Sequence, residues 1–296
     1  MECETNTIHC KYCFGICTVH KSKSITTSDQ VIDSLSNEVI YTGNALASEN
    51  IESGAKPVQS FFNKKPKRAY KSLENVIVQQ RETISTGMAE FDAVLGNGIV
   101  RGCAIFIGGN PGAGKSTLIM QVCANTIRQG EIVYYANGEE SEERVRICAE
   151  RVGFDPTQYP NKFFLEYSND YDRHREAILD IKPSLVIIDS AQVMKSANAT
   201  SSTDQICYIA LDLQFISDKY KIGSFLISHV TKDGVLIGSN KALHMVDVGL
   251  FLRKEHETSK FVCLSIYEKN RFGPPDGEQW FETKAKGLFP IDHEEE

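Results

Sequence analysis

The sequence predicts an α/β domain with a mostly parallel central sheet and antiparallel strands at one edge. Three observations carry this expectation. Short apolar runs alternate with helix-periodic segments from about Ile84 to Ser228. One of these runs leads into a glycine-rich loop ending in Gly-Lys-Ser. After Met245 the texture becomes strand after strand. A strand–helix alternation of this kind implies a parallel sheet covered by helices on both faces.

Taken in order, Ala104–Gly108 is apolar throughout and reads as a strand. Ser116–Arg128 has helical spacing, with Gly130 just beyond it as a stop. Glu131–Ala136 is a second strand and Ser141–Val152 a second helix. Lys162–Tyr167 and Arg173–Ile181 repeat the pair, closed by Pro183. Leu185–Asp189 is a buried strand that ends in a carboxylate. Asp204–Tyr220 is a long helix, and Ile222–Ser228 another buried strand. Val246–Arg253, Lys260–Glu268 and Gln279–Glu282 complete the series as edge strands.

The flanks differ from this core. Residues 1–20 form a cysteine-rich module, 21–80 a polar linker read as partly disordered, 81–291 the globular domain and 292–296 an acidic tail. Of nine cysteines, Cys3, Cys10, Cys13 and Cys17 crowd the N-terminus. The other five lie singly among apolar neighbours, as small hydrophobes do in a reducing compartment. A net charge of −7 excludes a wholly basic nucleic-acid coat but not a local basic surface. No apolar run is long enough for a membrane span, and the N-terminus lacks a secretory pattern, so a cytoplasmic location is expected.

The sharpest motif is Gly109-Asn110-Pro111-Gly112-Ala113-Gly114-Lys115-Ser116-Thr117. It fits the phosphate-binding pattern of Gly, four residues, Gly, Lys, then Ser or Thr, between a strand and a helix. The glycines let backbone N–H groups converge, and the helix N-terminus adds partial positive charge. Lys115 is expected to contact the outer phosphates of ATP, and Ser116 to ligate Mg²⁺. Asp189, delivered by its buried strand, is expected to hold the Mg²⁺ shell. Hydrolysis also needs a group that activates water. Glu139 and Glu140 follow the second strand and are candidates, although acids also favour a helix N-terminus for electrostatic reasons alone.

Further stretches narrow the family. They are Ile84-Ser85-Thr86-Gly87, Phe91-Asp92 and Leu95-Gly96-Asn97-Gly98; Asn137-Gly138-Glu139-Glu140-Ser141; Ser228-His229-Val230-Thr231-Lys232-Asp233-Gly234; His244-Met245-Val246-Asp247; and Lys269-Asn270-Arg271-Phe272-Gly273. Together they resemble the RadA/Sms family of DNA-repair ATPases, within the RecA/DnaB class, over roughly residues 80–290. KaiC-like ATPases share the first of these stretches. The resemblance implies a RecA-like fold and a homo-hexamer with ATP between subunits. Glu139 would be the residue that activates water and His229 the sensor of the γ-phosphate. Lys269 and Arg271 would be cationic fingers that reach the neighbour's ATP. It also implies single-stranded DNA as a partner, with replication or recombination proteins as others.

Two departures stand out. The family usually continues into a domain related to Lon protease, and this chain is expected to lack it. The family also usually begins with two well-separated Cys-x-x-Cys pairs that bind zinc. Here Cys10, Cys13, Cys17 and His20 offer four suitable ligands at cramped spacing, and Cys3 or His9 could replace one. Both a Zn²⁺ site and a metal-free remnant stay open.

Loops Lys195–Thr203 and Lys232–Lys241 are the candidate DNA contacts. They lack aromatics, so phosphate contacts should dominate. Phe61-Phe62 before the basic run Lys64–Arg68 is either a docking or DNA-binding segment or a pair packed on the core. Three functions compete: a motor that translocates on or unwinds DNA, a KaiC-like regulatory ATPase, and a filament-forming strand-exchange recombinase.

Overall fold

The computed structural model describes the backbone of Thr5–His9, Ile16–His20, Gln30–Ile32 and Val39–Tyr41, and residues 72–75, 81–229 and 240–291. The chain divides into two units, residues 1–79 and 80–296. In the first unit β1 (Thr5–His9) pairs antiparallel with β2 (Ile16–His20), and β3 (Gln30–Ile32) with β4 (Val39–Tyr41). The register sets Cys17 opposite Ile8 and His20 opposite Thr5. The expected zinc set of Cys10, Cys13, Cys17 and His20 is not supported by any metal-binding group among the described residues. Cys3, Cys10 and Cys13 lie outside the described residues, as do Phe61-Phe62 and Lys64–Arg68. Among the described residues no group of three or more His, Cys, Asp or Glu could hold a metal ion.

In the second unit the helices are α1 (Ala89–Leu95), α2 (Lys115–Arg128), α3 (Glu142–Arg151), α4 (Tyr171–Ile181), α5 (Ser202–Tyr220) and α6 (Asn240–Met245). Strands β5 (Thr83–Ile84) and β6 (Ile99–Val100) form a small antiparallel pair. The remaining strands are β7 (Ala104–Gly109), β8 (Val133–Asn137), β9 (Phe163–Tyr167), β10 (Leu185–Asp189), β11 (Gly223–Ile227), β12 (Val248–Lys254), β13 (Phe261–Asn270), β14 (Glu278–Lys284) and β15 (Gly287–Ile291). They build one nine-stranded sheet in the order β15-β14-β13-β12-β7-β11-β10-β8-β9. The run from β12 to β9 is parallel, and β13, β14 and β15 extend it antiparallel. This is the predicted architecture.

Strand alternation splits the core into two layers. Ile105 and Ile107 of β7 join one apolar cluster with Leu118, Val122 and Ile127 of α2. Ala104 and Phe106 face the other, with Ile209, Leu213 and Ile216 of α5. Each fully buried Leu, Ile or Phe contributes about 1.5–3 kcal/mol. Strands β7, β8, β10 and β11 are buried along their whole length.

The sequence reading missed the N-terminal strands β1–β4, the short β5–β6 pair, α1, α6 and β15. Helix α1 has only seven residues and no side-chain cap at Met88. Helix α6 has six residues. Strand β15 contains Pro290, which argues against a central strand but is tolerated at the outer edge, where β15 lies.

Helix α1 closes at Gly96, whose φ is +93°. There its backbone meets the loop after β13: an added Cβ would lie 2.4 Å from Gly273 Cα. Asn270 completes the joint. Its Nδ2 donates to Val94 O at 3.2 Å, while its Oδ1 accepts from the N–H groups of Phe272 and Gly273 at 3.0 Å. Three residues of the Lys-Asn-Arg-Phe-Gly motif thus shape the turn that presents the other two. Gly96→Ala is expected to destabilise the domain by about 2–3 kcal/mol through overpacking and backbone strain. Urea denaturation measures this, and a change under about 0.5 kcal/mol, the range of neutral surface substitutions, contradicts the close approach.

Candidate nucleotide site

Strand β7 delivers the glycine-rich loop to the C-terminal end of the sheet. Gly109 pairs with Leu252 in β12, where an added Cβ would lie 2.2 Å from the Leu252 carbonyl oxygen. Gly114 opens α2 with φ +97°, and no side chain caps that end of the helix. The N–H groups of the first turn therefore face the loop with partial positive charge. Lys115 is 4% exposed, and its Nζ donates to Gly109 O at 2.7 Å and Asn110 O at 3.1 Å. Burial pushes its pKa down to about 8, against the opposing pull of Asp189 and Glu139.

Two neighbouring strand ends, of β10 and β8, bring the carboxylates to this loop. Asp189 closes β10 and is buried, which pushes its pKa up, while hydroxyls from Tyr135 and Ser116 oppose the shift. The Tyr135 hydroxyl donates to Asp189 Oδ2 at 2.6 Å. The expected Mg²⁺ ligands Ser116 and Asp189 are thus neighbours. Two hard oxygen donors beside a phosphate loop fit that ion.

Glu139 follows β8. Asn137, buried at the strand end, accepts from the N–H groups of Glu139 and Glu140 at 3.3 and 3.2 Å, an Asx-type turn that fixes the approach. The Glu139 carboxylate accepts from Ser190 Oγ and lies 3.2 Å from His229 Nε2. Its pKa is held below the ordinary glutamate range, chiefly by the His229 contact, with Ser190 and Lys115 adding to it against desolvation. The neighbouring Glu140 accepts from Asn137 Nδ2 through its backbone carbonyl. Ser141 instead caps α3, accepting from Arg144 N–H. Glu139, Lys115, Ser116, Asp189 and His229 therefore stand together at this end of the sheet. Tyr135, Ser190 and Asn137 complete the site and were not anticipated.

Lys269 and Arg271 lie elsewhere. Arg271 Nη1 pairs with Asp247 Oδ1 at 2.8 Å, and Asp247 Oδ2 accepts from Ala104 N–H at 3.1 Å. Lys269 Nζ donates to the carbonyls of Val246 and His244. Both cations stand at the Ala104 end of β7, and the phosphate loop leaves from the Gly109 end. Five strand steps separate the two ends, roughly 16 Å. Arg271 retains 53% side-chain exposure despite its ion pair.

The Lys195–Thr203 loop is fastened at its base. Lys195 N–H donates to Asn169 O at 2.8 Å, and Asp172 Oδ2 accepts from Ala197 N–H at 2.8 Å. Gln205 Oε1 accepts from Ser196 N–H at 2.7 Å. Of the second loop, Lys232–Lys241, residues 232–239 lie outside the described residues.

A phosphate loop ending the central strand, a buried aspartate on the next strand but one, and a glutamate one strand further define a RecA-like P-loop ATPase. Comparison with known proteins assigns the family: the KaiC ATPase family matches residues 84–272, and the chain belongs to it. It is 35% identical over 224 residues to the DNA repair protein RadA of Streptococcus pyogenes, covering 75% of this chain and 47% of that one. It is 32% identical over 222 residues to RadA of Bacillus subtilis, covering 74% and 47%. The chain thus spans about half the length of these relatives. Among solved structures, a KaiC-like protein from Pyrococcus horikoshii superposes with a TM-score of 0.61 at 17% identity, over 72% of this chain and all of that one. The RadB recombinase gives 0.55 at 23% identity, over 71% of this chain and all of that one. Among the described residues no helix is long and apolar enough to cross a membrane.

The Tyr135–Asp189 contact generates a test. Tyr135→Phe removes a donor from a buried carboxylate and is expected to cost roughly 1–3 kcal/mol in urea unfolding at neutral pH. It should also push the Asp189 pKa further up, because Tyr135 opposes the effect of burial. Unchanged stability would contradict the assigned contact.

Proposed function

We propose that the protein is an ATP-driven motor of DNA repair or recombination, which acts on single-stranded DNA and hydrolyses ATP between subunits of a ring. One observation carries the intersubunit part: Lys269 and Arg271 stand at the opposite end of β7 from their own phosphate loop. A finger that distant serves a neighbour's nucleotide. The DNA part draws support from the identity to RadA DNA repair proteins. The exposed Lys195 and its polar loop suit backbone contact with a single strand.

In this reading Lys115 and the N–H groups opening α2 bind the outer phosphates. Ser116 and Asp189 hold Mg²⁺, which offsets phosphate charge when bound. Glu139 orients the attacking water and takes its proton. Its lowered pKa keeps it ionised near neutrality, the state that a base requires. Ser190 fixes its carboxylate, and His229 links it to the segment that follows. Arg271 and Lys269 from the adjacent subunit stabilise charge on the transferred phosphoryl group. A family member that regulates through its ATP state and moves on nothing is the second reading, favoured by the KaiC family match.

Two measurements test these roles. Lys115→Ala and Arg271→Ala are each expected to be inactive, the latter by about 10³-fold or more if it acts as an arginine finger. Mixed, they should regain part of the activity, because some interfaces pair an intact loop with an intact finger. Failure to complement in mixtures shown by mass to exchange subunits favours the regulatory reading. The second measurement is pH dependence. Glu139 loses its activity-supporting charge as pH falls through its folded pKa, which His229 holds low. His229→Ala should therefore move the acid limb of the kcat profile to higher pH. An unmoved limb contradicts Glu139 as the base.

A further inference from the structure

The residues after β10 reach the exits of β8 and β11 that carry Glu139 and His229. Gly138 N–H donates to Asp189 O at 2.8 Å, and the Ser190 hydroxyl donates to Glu139. Ala191 N–H donates to Ile227 O at 2.8 Å, fastening the segment to the end of β11. Val193 packs against Gly138, where an added Cβ would lie 2.6 Å from Val193 Cγ2. Between them stands Gln192. Its Nε2 donates to Ser228 Oγ and, at 3.2 Å, to His229 O. The amide orientation follows from chemistry, because a backbone carbonyl only accepts. Ser228 is fully buried, and the Gln192 Oε1 is buried with no partner among the described residues.

These contacts join two chain exits. Three residues beyond Gln192 the Lys195–Thr203 loop begins, and immediately beyond His229 the segment 230–239 begins. The imidazole of the same His229 meets Glu139 at 3.2 Å, near the outer limit of a hydrogen bond. A shift of a few tenths of an ångström in the His229 backbone would break that contact. Gln192 donates to the carbonyl of that same residue at 3.2 Å.

We infer that Gln192 is a positioning residue: it sets His229 against Glu139 and ties the hydrolytic site to the roots of both loops. The inference rests on the hydrolytic roles proposed above and deepens them. Gln192 touches no reacting atom. It acts through His229, so its loss should leave nucleotide binding in place and lower turnover. It should also weaken the dependence of turnover on whatever occupies the loops.

The test uses the full chain with two variants that cut the same link from opposite ends. Gln192→Leu keeps most of the side-chain volume and removes the donor, and Ser228→Ala removes its hydroxyl partner. ATPase kcat and KM are measured with and without single-stranded DNA, alongside thermal melting. In both variants kcat is expected to fall about 10- to 100-fold, the scale of a small misplacement in an active site. KM for ATP should stay within about threefold, the pattern of a group that acts on turnover and not on binding. The ratio of turnover with DNA to turnover without it should approach one. Wild-type kcat and DNA response in both variants would overturn the inference, as would a raised KM with unchanged kcat. Loss of the melting transition in both would assign Gln192 a structural role alone and also overturn it. If only one variant folds, the other supplies the decision. If the wild-type protein itself ignores DNA, the DNA reading fails separately, and the kcat loss at constant KM still decides the role of Gln192.

Discussion

Strand β7 is buried along its whole length, and what lies at its two ends sets how the molecule can work. One end carries the phosphate loop and the other accepts Asp247, the partner of Arg271. A strand cannot shorten, so the roughly 16 Å between the ends is fixed by backbone geometry. The pairing of β12 alongside β7 then determines which residues share each end. Leu252 adjoins Gly109, and Val248 adjoins Ile105. Every further feature of the site is referred to this frame, from the close glycine contact at Leu252 to the exposure of Arg271.

At the phosphate end, two carboxylates a few residues from the same loop experience opposite environments. Burial pushes the Asp189 pKa up, and hydrogen bonds from its neighbours hold the Glu139 pKa down. Asp189 is enclosed between strands and receives a tyrosine hydroxyl. Glu139 stands past the strand end, half-exposed, beside a histidine and a serine. Such divergence separates a group suited to holding a cation from one suited to handling a proton. Parallel strands produce it without special machinery: they end on one side of the sheet, and each exit places its next side chain at a slightly different depth.

Much of this was legible in the sequence. The buried strands are continuous apolar runs, and the glycine-rich loop announces itself by spacing. The strand–helix alternation fixed the parallel sheet, and the strand texture after Met245 fixed its antiparallel extension. What stayed hidden depends on pairing. Tyr135 meets Asp189 across 54 positions, Ser190 meets Glu139 across 51, and Gln192 meets Ser228 across 36. Each contact joins the ends of strands that pair only in the folded sheet, and no local pattern encodes it. The Lys269–Gly273 motif shows both sides. Its cations were identified as candidates for chemistry, whereas the turn-building work of Asn270 and Gly273 required the position of α1. At the N-terminus, residue types alone suggested a zinc set, which no metal-binding group among the described residues supports.

We propose that one chain does not contain a complete hydrolytic site, because β7 holds Lys269 and Arg271 away from its own phosphate loop. The most direct measurement is ATPase turnover per chain as a function of protein concentration, with mass determined at each point. Turnover per chain should rise steeply with concentration, in step with assembly, and approach zero where single chains predominate. Constant turnover per chain down to concentrations at which the protein is monomeric would contradict the account.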